Sequence, residues 1–274
     1  MKNGPIGVFD SGFGGLSAVR ELIRLMPEED IVYFGDNARI PYGDKSPETI
    51  GEYAAQDAAF LLSCGVKAVL AACGTVSSVA LEKLKQRLPV PAVGVIEPAA
   101  KEALRLSKNG VIGVMGTEAT VRSGAYEKAL RALGGERELR VVSVPCPLLV
   151  PLVENGYVKP DCEISHLAVR EYLAPILAAG ADTVILGCTH YPLIRGIIAE
   201  EFGRDSLVNT GLEAAKELKR LLAENGAQGG GKEKGRLRLY SSDRTEGFGA
   251  RAALFLPAEE TLSFERVDIL SYSL

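Results

Sequence analysis

Gly65-Val66-Lys67-Ala68-Val69-Leu70-Ala71-Ala72-Cys73 and Gly180-Ala181-Asp182-Thr183-Val184-Ile185-Leu186-Gly187-Cys188 are two copies of one pattern, 115 residues apart. In each, a glycine opens a short apolar run and a cysteine follows eight residues after the glycine. Apolar runs of this length between turn signals are expected of strands buried on both faces. Each cysteine therefore sits just past the end of a strand. A second echo supports the repeat: Ile6-Gly7-Val8-Phe9-Asp10-Ser11 against Ile112-Gly113-Val114-Met115-Gly116-Thr117, at an offset of 106. The chain reads as two related halves. Facing each other across a pseudo-twofold axis, such halves bring two thiols to one ligand from opposite sides. That arrangement suits moving a proton from one face of a carbon to the other.

Outward from these blocks, short apolar runs alternate with longer stretches of helical period, the signature of a parallel sheet covered by helices. Strands are expected over residues 6–9, 31–34, 68–72, 92–95, 111–115, 139–144, 183–186, 206–208 and 237–240. The clearest helix opens at Ser46-Pro47, a cap followed by proline at the first helical position, and stops at Gly65. Residues 227–235, with three consecutive glycines and three charges, read as a flexible connector before a last strand and helix.

Composition narrows the class. The 274 residues are 47% hydrophobic and 24% charged with a formal net charge of −4, and no basic stripe favours nucleic acid as the main partner. No apolar run approaches the roughly 18 residues that span a bilayer, and no signal peptide is visible, so a cytoplasmic location and no membrane partner are expected. The cysteines Cys64, Cys73, Cys146, Cys162 and Cys188 are odd in number and lack CxxC spacing. That disfavours a disulfide framework and a zinc site, and no metal is expected. The assembly state is left open, a homodimer included.

Ligands bind outside the carboxyl edge of such sheets, and the unusual residues lie at those strand ends. Asp10-Ser11-Gly12-Phe13-Gly14-Gly15 follows the first strand and opens a helix, yet its glycines do not match GxGxxG and Asp10 would repel a pyrophosphate. An acid there suits a substrate ammonium or a nearby thiol's proton traffic; its bland alternative is a helix cap.

Gly7-Val8-Phe9-Asp10-Ser11-Gly12-Phe13-Gly14-Gly15-Leu16, Pro41-Tyr42-Gly43, the Cys73 block, Gly94-Val95-Ile96-Glu97-Pro98 and Leu186-Gly187-Cys188-Thr189-His190-Tyr191-Pro192-Leu193 together resemble the glutamate racemases, across nearly the whole chain. The resemblance implies a cofactor-independent enzyme interconverting L- and D-glutamate for bacterial peptidoglycan. It also implies an α/β fold of two pseudo-symmetric lobes, each a mostly parallel sheet flanked by helices, with the active site between them. Lobe one would be 1–97 plus 207–274 and lobe two 98–206. Catalytic residues would be Cys73 and Cys188, supported by Asp10 and by His190 with Glu154. Substrate contacts would come from Asp10, Ser11, Pro41, Tyr42, Gly43, Gly74, Thr75, Thr189 and His190.

The chemistry demands these residue types. Removing an α-proton without an electron sink needs a strong, dry base together with an acid. One cysteine as thiolate and one as thiol supply both. A free thiol titrates near about 8.5, so a thiolate needs donors, a helix start or an adjacent imidazole. Both cysteines are read as preceding helix starts, with His190 beside Cys188 and the Thr75 and Thr189 hydroxyls able to hold a carboxylate or amine. Cys64, Cys146 and Cys162 read instead as small inert hydrophobes, and His166 as surface.

One departure stands out: the family usually has asparagine where this chain has Gly74. A lost side-chain contact and a positive φ are expected there, with Gly74→Asn restoring the contact. Asn209-Thr210 likewise stands where an acidic pair position is common. Competing readings are a racemase of a related acidic amino acid, a cysteine amidohydrolase using Cys188 and His190, and a non-catalytic amino-acid-binding protein. The amidohydrolase would show burst acylation and leaves Cys73 unexplained; retention of both thiols and His190 weighs against a mere binder.

Overall fold

The computed structural model describes residues 3–229, 233–243, 248–256 and 264–274. Among these, the strands are Ile6–Asp10 (β1), Ile31–Gly35 (β2), Ala68–Ala71 (β3), Ala92–Gly94 (β4), Val111–Gly116 (β5), Arg140–Pro145 (β6), Thr183–Leu186 (β7), Leu207–Asn209 (β8), Leu237–Ser241 (β9) and Phe264–Arg266 (β10). They build two sheets, ordered β10-β9-β2-β1-β3-β4 and β6-β5-β7-β8, and every pairing is parallel. Helices connect the strands, as parallel crossovers require. Among the described residues no helix is long and apolar enough to cross a membrane.

The repeat is exact at the level of strand order: β2-β1-β3-β4 corresponds to β6-β5-β7-β8. Register matches too. Ile6 faces Ala68 across β1 and β3, and Ile112 faces Thr183 across β5 and β7. The amide of Ala72 donates to Phe9 at 3.0 Å, and that of Gly187 to Met115 at 2.7 Å. Cys73 and Cys188 thus leave their sheets at equivalent points.

In the first sheet alternate residues serve two cores, as a strand's two-residue period dictates. Val8, Tyr33 and Leu70 join one cluster, which continues into the second sheet through Val114 and Ile185. Phe9, Phe34 and Ala71 join the other, against Ala54, Ala58 and Leu61 of helix Pro47–Ser63. That helix begins as read: Ser46 Oγ accepts from the Thr49 amide at 3.2 Å, and the left-handed Gly65, φ 73°, turns the chain after it. Helix Thr210–Glu224 packs on both Leu16–Leu25 and Ile96–Leu106, tying the two halves together.

Three expectations are corrected. Strand β8, placed by sequence in lobe one with 207–274, pairs with β7 in the second sheet. Strand β10, not foreseen, extends the first sheet beyond β9. Cys73 directly precedes helix Gly74–Val79, but Cys188 is followed by a 3-10 turn, Tyr191–Ile194, and the α-helix starts only at Arg195. Of the expected connector, 230–232 lie outside the described residues. Its flanks are tied down, the Gly229 amide to Glu29 at 2.5 Å and the Gly235 amide to Pro27 at 2.8 Å. Residues 1–2, 244–247 and 257–263, also assigned to lobe one, lie outside the described residues.

Candidate active site

A cavity of about 420 Å³ opens where the carboxyl ends of both sheets converge. The turns after β1, β3, β5, β6 and β7 all contribute to it. Asp10, Ser11, Pro41, Tyr42, Gly43, Cys73, Gly74, Thr75, Glu154, Cys188, Thr189 and His190 all line it. Sequence reasoning missed Thr117, Glu118 and Thr120, at the helix that follows β5, and the Cys146-Pro147 turn. The Ile112-to-Thr117 echo carried the signal for Thr117, which stands where Ser11 stands in the first half. Among the described lining residues there is no Lys or Arg, while Asp10, Asp44, Glu118 and Glu154 are acidic.

Around the first thiol, Cys73 is 5% exposed, and its Sγ donates to Ser11 Oγ at 3.6 Å. Burial, then the charge of Asp10, pushes this thiol up to about 12 against the pull of the Val76 and Ser11 contacts. Cys73 therefore holds its proton at neutral pH. Asp10 Oδ2 accepts from the Gly12 and Gly15 amides at 3.1 and 3.0 Å, so the acid does fasten the turn before helix Leu16–Leu25. Burial raises the Asp10 pKa, opposed first by His190 and then by these amides. Beneath it, the Tyr33 hydroxyl donates to the Gly12 carbonyl at 2.5 Å. Thr75 and Thr117 hydroxyls meet at 3.4 Å, one from each half.

The second thiol has different company. Cys188 is 7% exposed, with Sγ 3.7 Å from His190 Nδ1, and His190 Nε2 lies 3.0 Å from Glu154 Oε1. Burial disfavours the charged imidazole, yet the contacts to Cys188 and Glu154 outweigh it and raise His190 to about 10. Glu154 is lowered in turn, first by its bond to His190. A protonated imidazole presents both N–H groups, one to Glu154 and one toward Cys188 and Thr189. The Phe255 ring stands edge-on to His190 at 5.4 Å, a contact across some 65 residues of sequence that no local pattern announces.

The family model for Asp/Glu/Hydantoin racemases matches residues 6–218. The chain belongs to the Asp/Glu/Hydantoin racemase family. Within that family it is 48% identical over 219 residues to the glutamate racemase of Geobacter metallireducens, spanning 80% of this chain and 78% of that one. The crystal structure of glutamate racemase from Francisella tularensis in complex with D-glutamate superposes with a TM-score of 0.90 at 38% identity, covering 99% of this chain and 100% of that one. The glutamate racemase isoform RacE1 of Bacillus anthracis superposes with a TM-score of 0.91 at 36% identity, covering 98% of each chain.

Against the pattern of this racemase family, Gly74 is corrected in its details. Its φ is not positive. What a side chain would meet is the Gly187 carbonyl oxygen, 2.8 Å from a Cβ placed on Gly74. The turns bearing the two thiols touch there, backbone against backbone. Gly14 makes a similar approach, since a Cβ there would lie 2.1 Å from Thr189 Oγ1 and 2.6 Å from His190 Nδ1. Asn209, in place of an acid, caps helix Thr210–Glu224 by accepting from the Gly211 and Leu212 amides at 3.1 and 3.2 Å.

The remaining thiols and the second histidine also differ from expectation. Cys146 is buried as read, and its thiol is pushed up to about 12 mainly by burial, but it lines the cavity. Cys64 and Cys162 are only half-buried. Cys162 precedes helix Glu163–Ala178, where contacts from Ser165 lower its pKa. His166, expected at the surface, is half-buried, with Nδ1 2.8 Å from Glu201 and Nε2 2.8 Å from the Pro160 carbonyl.

Proposed function

We propose that this protein is a cofactor-independent glutamate racemase acting by two bases, Cys188 and Cys73, on opposite faces of the α-carbon. The observation that carries this reading is the pair of buried thiols at equivalent strand ends, lining one cavity. Lobe one brings Asp10 and Cys73, and lobe two brings Glu154, Cys188 and His190.

The asymmetry of the two sites supports different starting roles for the two thiols. The charged His190, held by Glu154, offers Nδ1–H to the Cys188 sulfur, which favours that sulfur as thiolate acceptor. Cys188 takes the α-proton while Cys73, still a thiol, gives its proton to the opposite face. The product leaves Cys188 as thiol and Cys73 as thiolate, and the reverse reaction restores the start. Asp10 supports Cys73 and receives the substrate ammonium. With no Lys or Arg among the described lining residues, the carboxylates are received by neutral donors: the Ser11, Thr75 and Thr189 hydroxyls and the Gly74 and Thr75 amides at the start of helix Gly74–Val79, which have no partner within the helix. The Pro41-Tyr42-Gly43 loop closes the same cavity.

The product would be D-glutamate for bacterial peptidoglycan, made in the cytoplasm. Circular dichroism of L-glutamate with enzyme, read alongside proton NMR in deuterium oxide, tests the activity. Loss of optical rotation with deuterium entering only the α-position is expected; unchanged L-glutamate refutes it. The Cys188-His190-Glu154 chain also supports a cysteine amidohydrolase. Burst acylation by an activated ester, blocked in Cys188→Ser and indifferent to Cys73→Ser, would favour that second reading.

A further inference from the structure

Beneath the Pro41-Tyr42-Gly43 loop lies a second cluster of ionisable groups. Asp36 and Asp57 are fully buried, and Tyr42 is 2% exposed. Arg39 Nε donates to Asp36 Oδ2 at 2.6 Å and Arg39 Nη2 to Asp57 Oδ1 at 2.9 Å. The Tyr42 hydroxyl makes a short hydrogen bond to Asp36 Oδ2 and lies 3.1 Å from Asp57 Oδ2. The Arg39 guanidinium also bonds Gln56 and stacks over the Tyr53 ring at 4.0 Å. These residues come from the segment after β2 and from helix Pro47–Ser63, and the charge of Asp10, which lines the cavity, also acts on Asp57.

Counting protons in this cluster gives one answer. A tyrosine hydroxyl has a single hydrogen, and two carboxylates share its oxygen. If that hydrogen goes to Asp36, the contact with Asp57 Oδ2 needs a proton on Asp57. Contact lengths place the proton on Asp57: Arg39 reaches Asp57 at 2.9 Å but Asp36 at 2.6 Å, and Tyr42 lies 3.1 Å from Asp57 but makes its short bond to Asp36, the shorter contacts being those expected of the charged partner. Charge gives the same result: two dry carboxylates against one guanidinium leave a net negative charge, and one proton cancels it.

We propose that Asp57 stands as a protonated acid in this cluster, and that Asp36, Arg39 and Asp57 are the positioning residues that hold the Pro41-Tyr42-Gly43 loop against the cavity. Burial, followed by the charge of Asp36, drives the Asp57 carboxyl well above the usual range, in the same direction. Tyr42 belongs to both structures, donating into the cluster by its hydroxyl and lining the cavity in the loop. The cluster makes no contact with the thiols. Its loss therefore weakens substrate binding more than proton transfer.

The kinetic arm of the test rests on the glutamate racemase reading; the spectroscopic arm does not. Asp57→Asn is isosteric, with an amide that donates to the Tyr42 oxygen and a carbonyl that accepts from Arg39. It is expected to keep kcat and KM within about twofold, whereas Asp57→Ala leaves both partners bare and raises KM about tenfold with a smaller change in kcat. Asp36→Asn, which removes the anion facing Arg39, raises KM like the alanine variant. Infrared difference spectra of aspartate-labelled wild type against Asp57→Asn should show a protonated carboxyl band at neutral pH. An Asp57→Asn protein that misfolds, or that raises KM as far as Asp57→Ala, overturns the proposal. So does a difference spectrum with no protonated carboxyl. If wild type does not racemise glutamate, the function falls while the carboxyl band still decides the cluster.

Discussion

Gly74→Ala tests how closely the two thiol-bearing turns are pressed together. The new Cβ would lie 2.8 Å from the Gly187 carbonyl oxygen. Even close carbon–oxygen contacts of the Cα–H···O type run at about 3.3 to 3.6 Å, so the methyl needs roughly 0.5 Å more room. A flexible side chain could swing aside, but here the neighbour is backbone. Gly74 follows Cys73 directly and Gly187 precedes Cys188 directly, so the displacement falls on the spacing of the thiols. Overpacking of this kind costs about 1 to 3 kcal/mol. A misplacement of 1 Å can cost about 10²-fold in rate, which makes roughly tenfold reasonable for half that distance. The assay is urea unfolding together with kcat/KM for glutamate by circular dichroism. Gly74→Asn carries the same Cβ but can add a hydrogen bond to a charged group, worth about 1.5 to 3 kcal/mol. It should recover part of the alanine variant's loss without exceeding wild type. A Gly74→Ala protein as stable and as active as wild type would refute the contact.

Glu154→Gln keeps a hydrogen bond to His190 but removes the charge that helps raise it to about 10. The basic limb of kcat/KM should move toward neutrality by about one unit, and an unmoved limb would detach Glu154 from the site. Because the folded His190 is raised from 6.5, its stabilisation is complete below about pH 6.5 and disappears as pH rises through about 10. The stability gap between wild type and His190→Asn should close over that window in urea titrations; a constant gap contradicts the assignment. Lys67→Met breaks a buried pair whose Nζ lies 2.5 Å from Glu29 Oε2, and should lower unfolding free energy by about 3 to 5 kcal/mol, against no change if the pair is dispensable. Gly51→Ala, where a Cβ meets nothing within 4 Å inside helix Pro47–Ser63, should instead stabilise by up to about 1 kcal/mol in the same assay.

The thiol pair was legible because parallel strands buried on both faces leave continuous apolar runs, and the cysteines end two of them. The same logic failed for β10, whose three residues at a sheet edge include two charged ones. It also misplaced β8, because a strand's own residues do not say which neighbour it joins across a switch in chain direction. Motif reading reached the residues in local runs, such as Asp10-Ser11 and Cys188-Thr189-His190, and the structure gathers them around one cavity. It could not reach Phe255 on His190, or Asp36 beside Asp57, since these contacts join segments separated by 65 and 21 residues. Nor could it see why residue 74 is glycine, because the Gly187 carbonyl approaches from the other half of the chain.

The central claim, one proton carrier on each face, is tested most directly with glutamate bearing a leaving group at Cβ. Eliminating that group needs only one base, which takes the α-proton as the leaving group departs. Cys73→Ser and Cys188→Ser should each abolish racemisation, because a serine hydroxyl is far too weak an acid to replace either thiol. Each variant should still catalyse elimination from one enantiomer, and the two variants should choose opposite enantiomers. Racemisation surviving in either variant, or both variants eliminating from the same enantiomer, would contradict the account.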